Sequence, residues 1–267
     1  MRTPVLMRVA MGLTAIALLW GAPARAANEV EVEAAKHLIE LIKIGRVIVS
    51  EQMANINDSS KSYKAFTGDY MAGQAMERFR KSTNLDLRAP DDVPYADLYL
   101  SLIKTEKDVV DEAQPIINRL GIGFKGFTPS VFGRRVSEQF YLEFGVRMRL
   151  TAIDYRNTNT KPDDFEAEVL RMFSDSRRPK GQPYVRNFVT MEGRAVLRVM
   201  DPEYAGPTCL ACHGGPKGEL NVTGTKKEGW KEGDLAGAIS IVLPLKTVQK
   251  EVQKTRVQAT LSKERTR

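Results

Sequence analysis

Hydrophobic residues recur at helical spacing in two long segments of the chain. In residues 30–56 they include Leu38 and Leu41, and in residues 95–117 they include Leu102. Apolar side chains three and four positions apart share one face of a helix. The pattern therefore predicts two long amphipathic helices.

The two segments are also related in sequence. An offset of 61 residues aligns positions 37–88 with 98–149 and gives 13 identities without a gap. The identities include a Lys-x-Phe-Thr turn after each helix, at 64–67 and 125–128. Chance similarity between amphipathic helices is the alternative, but the matching loops favour an internal duplication. Each copy is predicted to hold a long helix, a loop and a shorter helix.

After residue 145 the hydrophobic pattern changes to the period of two that is typical of strands. The predicted strands are 147–153, 184–191, 194–200 and 236–245, with a helix at 163–173. Glu192 and Gly193 are expected to form the turn between the middle two strands. The last strand is apolar enough to be central. These elements predict an α+β fold, with an antiparallel sheet of four or five strands and helices on one side.

The N-terminus is typical of a secretory signal peptide. Arg2 and Arg8 precede an apolar run from 9 to 20. After this run, Ala24-Arg25-Ala26 resembles a cleavage site. The run is short for a bilayer span, which makes an uncleaved anchor the weaker alternative. We expect residues 1–26 to be removed and the mature protein to be periplasmic.

The amino-acid composition limits the classes of molecule that the protein is expected to bind. The net charge is +7, and a leader with three arginines and no acid leaves 7 − 3 = +4. No basic stretch is interleaved with aromatic residues, so a nucleic acid is not expected. No later segment is apolar enough to suggest a membrane span in the mature chain. Both cysteines lie in one Cys-x-x-Cys, so a disulfide framework is excluded.

The segment Cys209-Leu210-Ala211-Cys212-His213 carries the strongest chemical information. Two thiols at this spacing match the vinyl groups of a haem, and the next imidazole can bind the iron. The motif predicts one covalent haem c, with His213 as the proximal iron ligand. A thioredoxin-like redox pair, a structural disulfide and a zinc site are weaker alternatives, because loop-forming residues flank the motif and His37 is the only other histidine.

The distal iron ligand stays open at this point. His37 and Met53, both on the first predicted helix, are candidates, and a water molecule or an empty position is the alternative. Further methionines, at 71, 76, 148, 172, 191 and 200, are weaker candidates. Methionines at helical spacing are usually core residues.

Two polar residues are candidates for binding the haem propionates. Arg156 could form paired hydrogen bonds with a carboxylate, and Asn157 follows it. The alternative is a turn that caps the next helix. Trp230 is a candidate for covering the haem edge, with an exposed loop as the alternative.

Several motifs in a fixed order resemble the periplasmic haem-c PAS-like family, whose members are free proteins and sensor domains of histidine kinases and chemoreceptors. They are Tyr155-Arg156-Asn157-Thr158-Asn159, the helix 163–173, the haem motif with Gly214, Glu228-Gly229-Trp230-Lys231-Glu232-Gly233-Asp234 and Gly237-Ala238-Ile239-Ser240. The resemblance covers residues 98–248. It implies a PAS-like antiparallel sheet with the haem at its edge, the long N-terminal helix alongside and His213 as the proximal ligand. In some relatives a cysteine or methionine of that helix is the distal ligand, and this chain has no such cysteine.

The expected organisation follows from these elements. A signal peptide (1–26) precedes a helical N-terminal extension (27–95), a haem-c PAS-like domain (96–248) and a basic C-terminal tail (249–267). The expected function is one-electron transfer by a periplasmic mono-haem protein. The alternative is a haem-based redox or gas sensor that signals through a separate partner.

We expect no enzymatic activity, because no acid–base pair can be nominated beyond His37. The candidate partners are a redox or signalling protein in the periplasm, a small gas and a second copy of the chain.

Overall fold

The computed structural model describes residues 27–189 and 194–245, and its first half is helical. Helix α1, Glu29–Ile56, begins at a capping box in which Asn28 and Glu31 each accept a hydrogen bond from the other's backbone N–H, both at 3.0 Å. Helix α2, Gly68–Thr83, is capped by Thr67. The prediction of a long helix at 30–56 is confirmed.

The second helical unit contains α3 (Ala96–Glu112), α4 (Gln114–Ile117) and α5 (Pro129–Phe144). The sequence predicted one helix over 95–117, and the structure divides it at Ala113. Pro115 explains the division, because it has no N–H to donate and its ring clashes with the preceding turn of a continuous helix.

The two helical units make matching contacts 61 residues apart. Lys64 and Lys125 are buried, and each ammonium donates to two backbone carbonyls of its own loop. The Lys64 N–H donates to Asn118 Oδ1 at 3.0 Å, and the Lys125 N–H donates to Asn57 Oδ1 at 2.9 Å. Each loop is therefore held by an asparagine from the other unit.

We expect Asn57→Ala to lower the free energy of unfolding by about 1 kcal/mol, because it leaves the part-buried Lys125 N–H without its acceptor. Asn118→Ala should have a similar effect through Lys64. Urea unfolding of both variants measures the effect. Wild-type stability in both would contradict the reciprocal contacts.

Four strands form one antiparallel sheet. They are β1 (Arg147–Thr151), β2 (Tyr184–Val189), β3 (Ala195–Tyr204) and β4 (Leu235–Pro244), in the order β1-β4-β3-β2. The predictions of an antiparallel sheet and of a central last strand are confirmed. β3 continues past its predicted end at residue 200, because Pro202 and Glu203 remain paired with β4. The turn predicted at Glu192 and Gly193 lies outside the described residues.

The two faces of the sheet carry different helices. Leu197, Val199 and Ile241 belong to the large core formed with α1, α2, α3 and α5. Met200 and Ala238, which point to the opposite face, pack against α6 (Asp164–Phe173). The expectation that all helices lie on one side was wrong, because α6 has its own apolar stripe and covers the second face.

The large core also spans the two regions that the sequence separated. Its buried residues run from Ala34 in α1 to Leu245, directly after β4. The predicted boundary between 95 and 96 thus falls between elements that share one core.

Glu106 of α3 places a carboxyl group within this core. It is fully buried, and neither of its carboxyl oxygens has a hydrogen-bond partner in the described part of the chain. It faces Gly45 of α1, where an added Cβ would lie 2.5 Å from Glu106 Oε1. Burial alone raises the pKa of Glu106 well above its usual value.

None of the helices in residues 27–189 and 194–245 is long and apolar enough to cross a membrane. The predicted signal peptide (1–26) and the whole of the predicted basic tail (249–267) lie outside the described residues.

Candidate functional site

The Cys-x-x-Cys-His segment follows directly after β3. A 3-10 turn, Pro207–Cys209, leads into a short helix α7, Leu210–His213. The sequence analysis noted loop-forming residues on both sides of this segment, and the structure makes the segment itself helical, with the Cys209 N–H donating to the Gly206 carbonyl at 3.0 Å. Cys209 and Cys212 are half-buried free thiols. Two thiols and the imidazole of His213 therefore lie on about one helical turn.

The imidazole of His213 is fixed by two contacts. Its Nδ1 lies 2.8 Å from Glu228 Oε2, and its ring stacks on Trp230 with the centroids 4.3 Å apart and the planes at 7°. Because an ionised carboxylate only accepts hydrogen bonds, Nδ1 carries the proton. The lone pair on Nε2 is then free to bind a metal. Trp230, a candidate for the haem edge, lies flat against this imidazole.

The backbone of the same loop clamps His213. The N–H groups of Gly229 and Trp230 both donate to the His213 carbonyl, at 3.0 and 2.9 Å. Gly229 has φ +83°, and a Cβ there would lie 2.9 Å from Lys217 Cβ. A glycine is thus required both by the backbone angle and by the close approach.

Arg156 joins this loop to the motif. Its guanidinium forms a two-pronged ion pair with Glu228, and Nη2 also donates to the carbonyls of Cys212 and Lys226, both at 3.0 Å. The structure therefore brings the predicted propionate ligand Arg156 to the motif, but uses its donors to hold the protein chain. Propionate binding by Arg156 stays a prediction.

Asn221 also binds the backbone of the Cys-x-x-Cys-His segment. Its Nδ2 donates to the Cys212 carbonyl at 2.8 Å, and its Oδ1 accepts from the Thr223 N–H at 2.8 Å. Asn221 is buried, while Leu220 and Val222 on either side are exposed. The Cys212 carbonyl thus accepts from both Asn221 and Arg156.

The electrostatics of the site favour a neutral imidazole beside an ionised carboxylate. Burial lowers the pKa of His213 and outweighs the hydrogen bond to Glu228, which acts in the opposite direction. Burial alone would raise the pKa of Glu228, but the hydrogen bonds from Arg156 and His213 outweigh it and the pKa is lowered. The neutral imidazole is the form that binds a metal ion.

The other predicted site residues lie elsewhere. His37 sits between Phe79 and Tyr99, with Nδ1 3.2 Å from Tyr99 Oη, and burial lowers its pKa. Met53 packs against the large core. Within the described ranges, no hydrogen bond or ring contact joins His37 to residues 209–213. Both remain predictions as distal ligands.

Asn157 has a local role in the structure. Its side chain caps a 3-10 turn, Thr158–Thr160, by accepting from the Asn159 N–H at 2.9 Å. This capping role resembles the alternative given with the propionate prediction, which itself stays untested.

Sequence reasoning did not assign roles to Glu228 and Asn221. Glu228 lies 15 residues after His213, and no local spacing connects them. The available indication was the position of Glu228 at the start of the ordered Glu-Gly-Trp motif. In the described part of the chain, no group of three or more His, Cys, Asp and Glu side chains could hold a metal ion.

Together, the fold and the site define an α+β protein whose Cys-x-x-Cys-His segment is held beside an antiparallel sheet by a histidine–carboxylate–arginine network. The chain belongs to the Tll0287-like family, whose model matches residues 24–244. This match confirms the family resemblance drawn from the motifs. The chain is also similar to a solved cyanobacterial heme-protein, Tll0287, with 14% identity, a TM-score of 0.42 and coverage of 82% of this chain and 98% of that one. No curated protein matches this chain.

Proposed function

We propose that this protein is a periplasmic mono-haem c-type protein that transfers single electrons and catalyses no reaction of its own. Cys209 and Cys212 would form the two thioether bonds, and Nε2 of His213 would bind the iron. The observation that carries the proposal is the 2.8 Å contact between His213 Nδ1 and Glu228, which directs the free lone pair to Nε2. Membership of the Tll0287-like family and the haem bound by its namesake support it.

The donor set suits this cofactor. Both thiols are free and half-buried, and the imidazole is neutral. A haem held in this way supplies a one-electron couple at its iron. A carboxylate partner on the non-ligating nitrogen of a metal-bound histidine fixes the ring and increases its basicity.

The residues around the motif favour electron transfer because they limit movement. Arg156 and Asn221 hold the Cys212 carbonyl, and the backbone of residues 229 and 230 holds that of His213. Trp230 prevents rotation of the imidazole on one face. A ligand that stays in place in both oxidation states requires little rearrangement when an electron is exchanged.

One observation favours a second candidate, a redox or gas sensor that signals through a separate partner. Both nominated distal ligands are engaged in the helical core, His37 with Tyr99 and Met53 with its apolar neighbours. If neither moves to the iron, the sixth position is available for a small gas.

Expression together with a cytochrome c maturation system tests haem attachment. We expect the wild type to gain the mass of one haem and to give a c-type pyridine haemochrome, whereas Cys209→Ala/Cys212→Ala loses the covalent haem. Ala211→Ser, which changes an exposed residue between the two thiols, is the matched control and should keep it. Wild-type protein at the mass of the bare chain would refute the proposal.

Carbon monoxide separates the two functions. Slow or absent binding to the reduced holoprotein supports electron transfer by a six-coordinate iron. Rapid binding supports the sensor and overturns the first proposal.

A further inference from the structure

The hairpin next to the motif exposes two apolar side chains to solvent. Residues 218–227 form it through the bridge between Leu220 and Lys226 and the bond from the Gly218 N–H to the Lys227 carbonyl. Leu220 and Val222 are each 63% exposed, whereas Asn221 between them is buried. Leu220, in the bridge, and Val222, in the turn at the tip of the hairpin, thus each present an aliphatic side chain to solvent.

Three exposed lysines lie near this apolar pair in the chain. Lys226 is exposed and stands directly opposite Leu220 in the bridge, so the two side chains lie on the same side of the hairpin. Lys217, which approaches Gly229, and Lys231 are exposed as well. Within the described residues, none of these three lysines has an ion-pair partner, in contrast to Lys227, which pairs with Glu219 at 2.8 Å.

The same hairpin touches the cysteine that would carry the haem. Asn221 points inward and binds the Cys212 carbonyl at 2.8 Å, so its two neighbours flank a residue in direct contact with the motif. Trp230, next to Lys231, stacks on His213. A protein docked on these outward side chains would therefore lie close to the haem.

We propose that Lys217, Leu220, Val222, Lys226 and Lys231, here called the hairpin face, dock an acidic redox protein that exchanges one electron with the haem. The inference rests on the proposed function. In the reducing direction, one electron leaves the partner's cofactor and converts ferric to ferrous iron, and no covalent bond forms or breaks. Aliphatic side chains with unpaired lysines nearby are complementary to an acidic surface with an apolar centre.

The charge of the chain makes a second copy the weaker occupant. The expected mature chain has a net charge of 7 − 3 = +4, and three lysines that have no ion-pair partner in the described part of the chain belong to the hairpin face. Two such faces would repel each other on approach, whereas an acidic partner would be attracted over about 8 Å at physiological salt.

The test uses the ferric holoprotein and a bacterial flavodoxin in its hydroquinone form, an acidic one-electron donor, mixed by stopped flow. We expect the second-order rate constant to fall as ionic strength rises. Lys217→Glu/Lys226→Glu/Lys231→Glu should lower it at low salt by roughly tenfold or more. Leu220→Ser/Val222→Ser should lower it at every salt concentration.

Two controls isolate docking from folding and haem chemistry. Lys61→Glu/Lys81→Glu/Lys104→Glu makes the same change in net charge on exposed lysines of the helical half and should leave the rate closer to the wild type. Reduced riboflavin, a small and nearly uncharged donor, should reduce all variants at one rate, which also shows that they are folded.

Each outcome decides one question. The docking proposal is overturned if the two triple variants lose the same factor in the rate constant with flavodoxin. It is also overturned if substitutions in the hairpin face leave that rate constant unchanged. In either case, reduction by riboflavin would leave the electron-transfer proposal intact. Failure of the wild type to accept electrons from either donor overturns the proposed function itself. Dimerisation of the holoprotein through the hairpin face would assign the surface to a second copy and also overturn the proposal.

Discussion

Replacing Glu228 with alanine is expected to raise the reduction potential of the haem-loaded protein by roughly 60 mV, the one-electron equivalent of a tenfold change in the relative binding of the two oxidation states. Glu228 accepts a hydrogen bond from Nδ1 of His213 and would make the imidazole a stronger donor to the iron. Its loss also leaves the Arg156 guanidinium without its ion pair. Both changes disfavour ferric iron, so the two effects add.

A redox titration followed by the visible spectrum measures this shift. Glu228→Gln removes the charge but keeps an acceptor oxygen, so it should give a smaller upward shift than alanine. Glu219→Gln is the matched control, because it removes a charge from the same hairpin at a residue paired with Lys227 and not in contact with His213. A potential unchanged in Glu228→Ala, or shifted equally in the control, would rule out Glu228 as a positioning residue.

Replacing Glu106 with methionine is expected to raise the free energy of unfolding by about 3 kcal/mol at pH 7, the upper range for a buried polar group without a partner. Methionine fills a similar volume and needs no hydrogen bond. The carboxyl faces Gly45, which also lies close to the ring of Phe132. Burial is the cause of the raised pKa of Glu106, and neither carboxyl oxygen has a hydrogen-bond partner among residues 27–189 and 194–245.

The increase in the free energy of unfolding caused by Glu106→Met should become larger as the pH rises. The pKa of Glu106 is raised in the folded protein above its value of 4.5 in an unfolded chain. The folded state therefore binds the proton more tightly, and the stability from this proton is complete below pH 4.5 and lost as the pH rises towards the folded pKa. The advantage of Glu106→Met should accordingly grow from pH 4.5 upward.

Urea unfolding between pH 4 and pH 8 measures this dependence. Glu138→Gln, at an exposed acid of α5 paired with Arg134, is the control and should show no such growth. An advantage of Glu106→Met that is constant or shrinks with rising pH would mean that the carboxyl is not the unpaired group described above.

The sequence predicted most elements because their patterns are local. The apolar period of α1 and the alternation of β1 and β4 each reside in a short stretch of chain. The division of the second helix at Pro115 was missed because its apolar pattern continues through the proline. The length of β3 was underestimated because pairing with β4, and not its own pattern, extends it to Tyr204.

The residues of the candidate site likewise separate into those that a local motif indicates and those that only the fold brings together. Cys209, Cys212 and His213 could be nominated from the sequence alone because covalent haem attachment and iron ligation would need those residues at a fixed local spacing. Glu228, Asn221 and the structural use of Arg156 were not, because their partners are distant along the chain or are backbone carbonyls that look alike in any sequence.

By itself, the sequence determined the α+β class, the order of the main elements and the chemistry of the two thiols and one imidazole, because periodicity and motif spacing are properties of neighbouring residues. Only the tertiary structure decided that α6 covers the second face of the sheet, that Glu106 lies unpaired opposite Gly45, and that Glu228 directs the lone pair of His213 to Nε2. Each of these depends on how distant segments meet, since burial and hydrogen bonding across the chain arise only when the chain has folded.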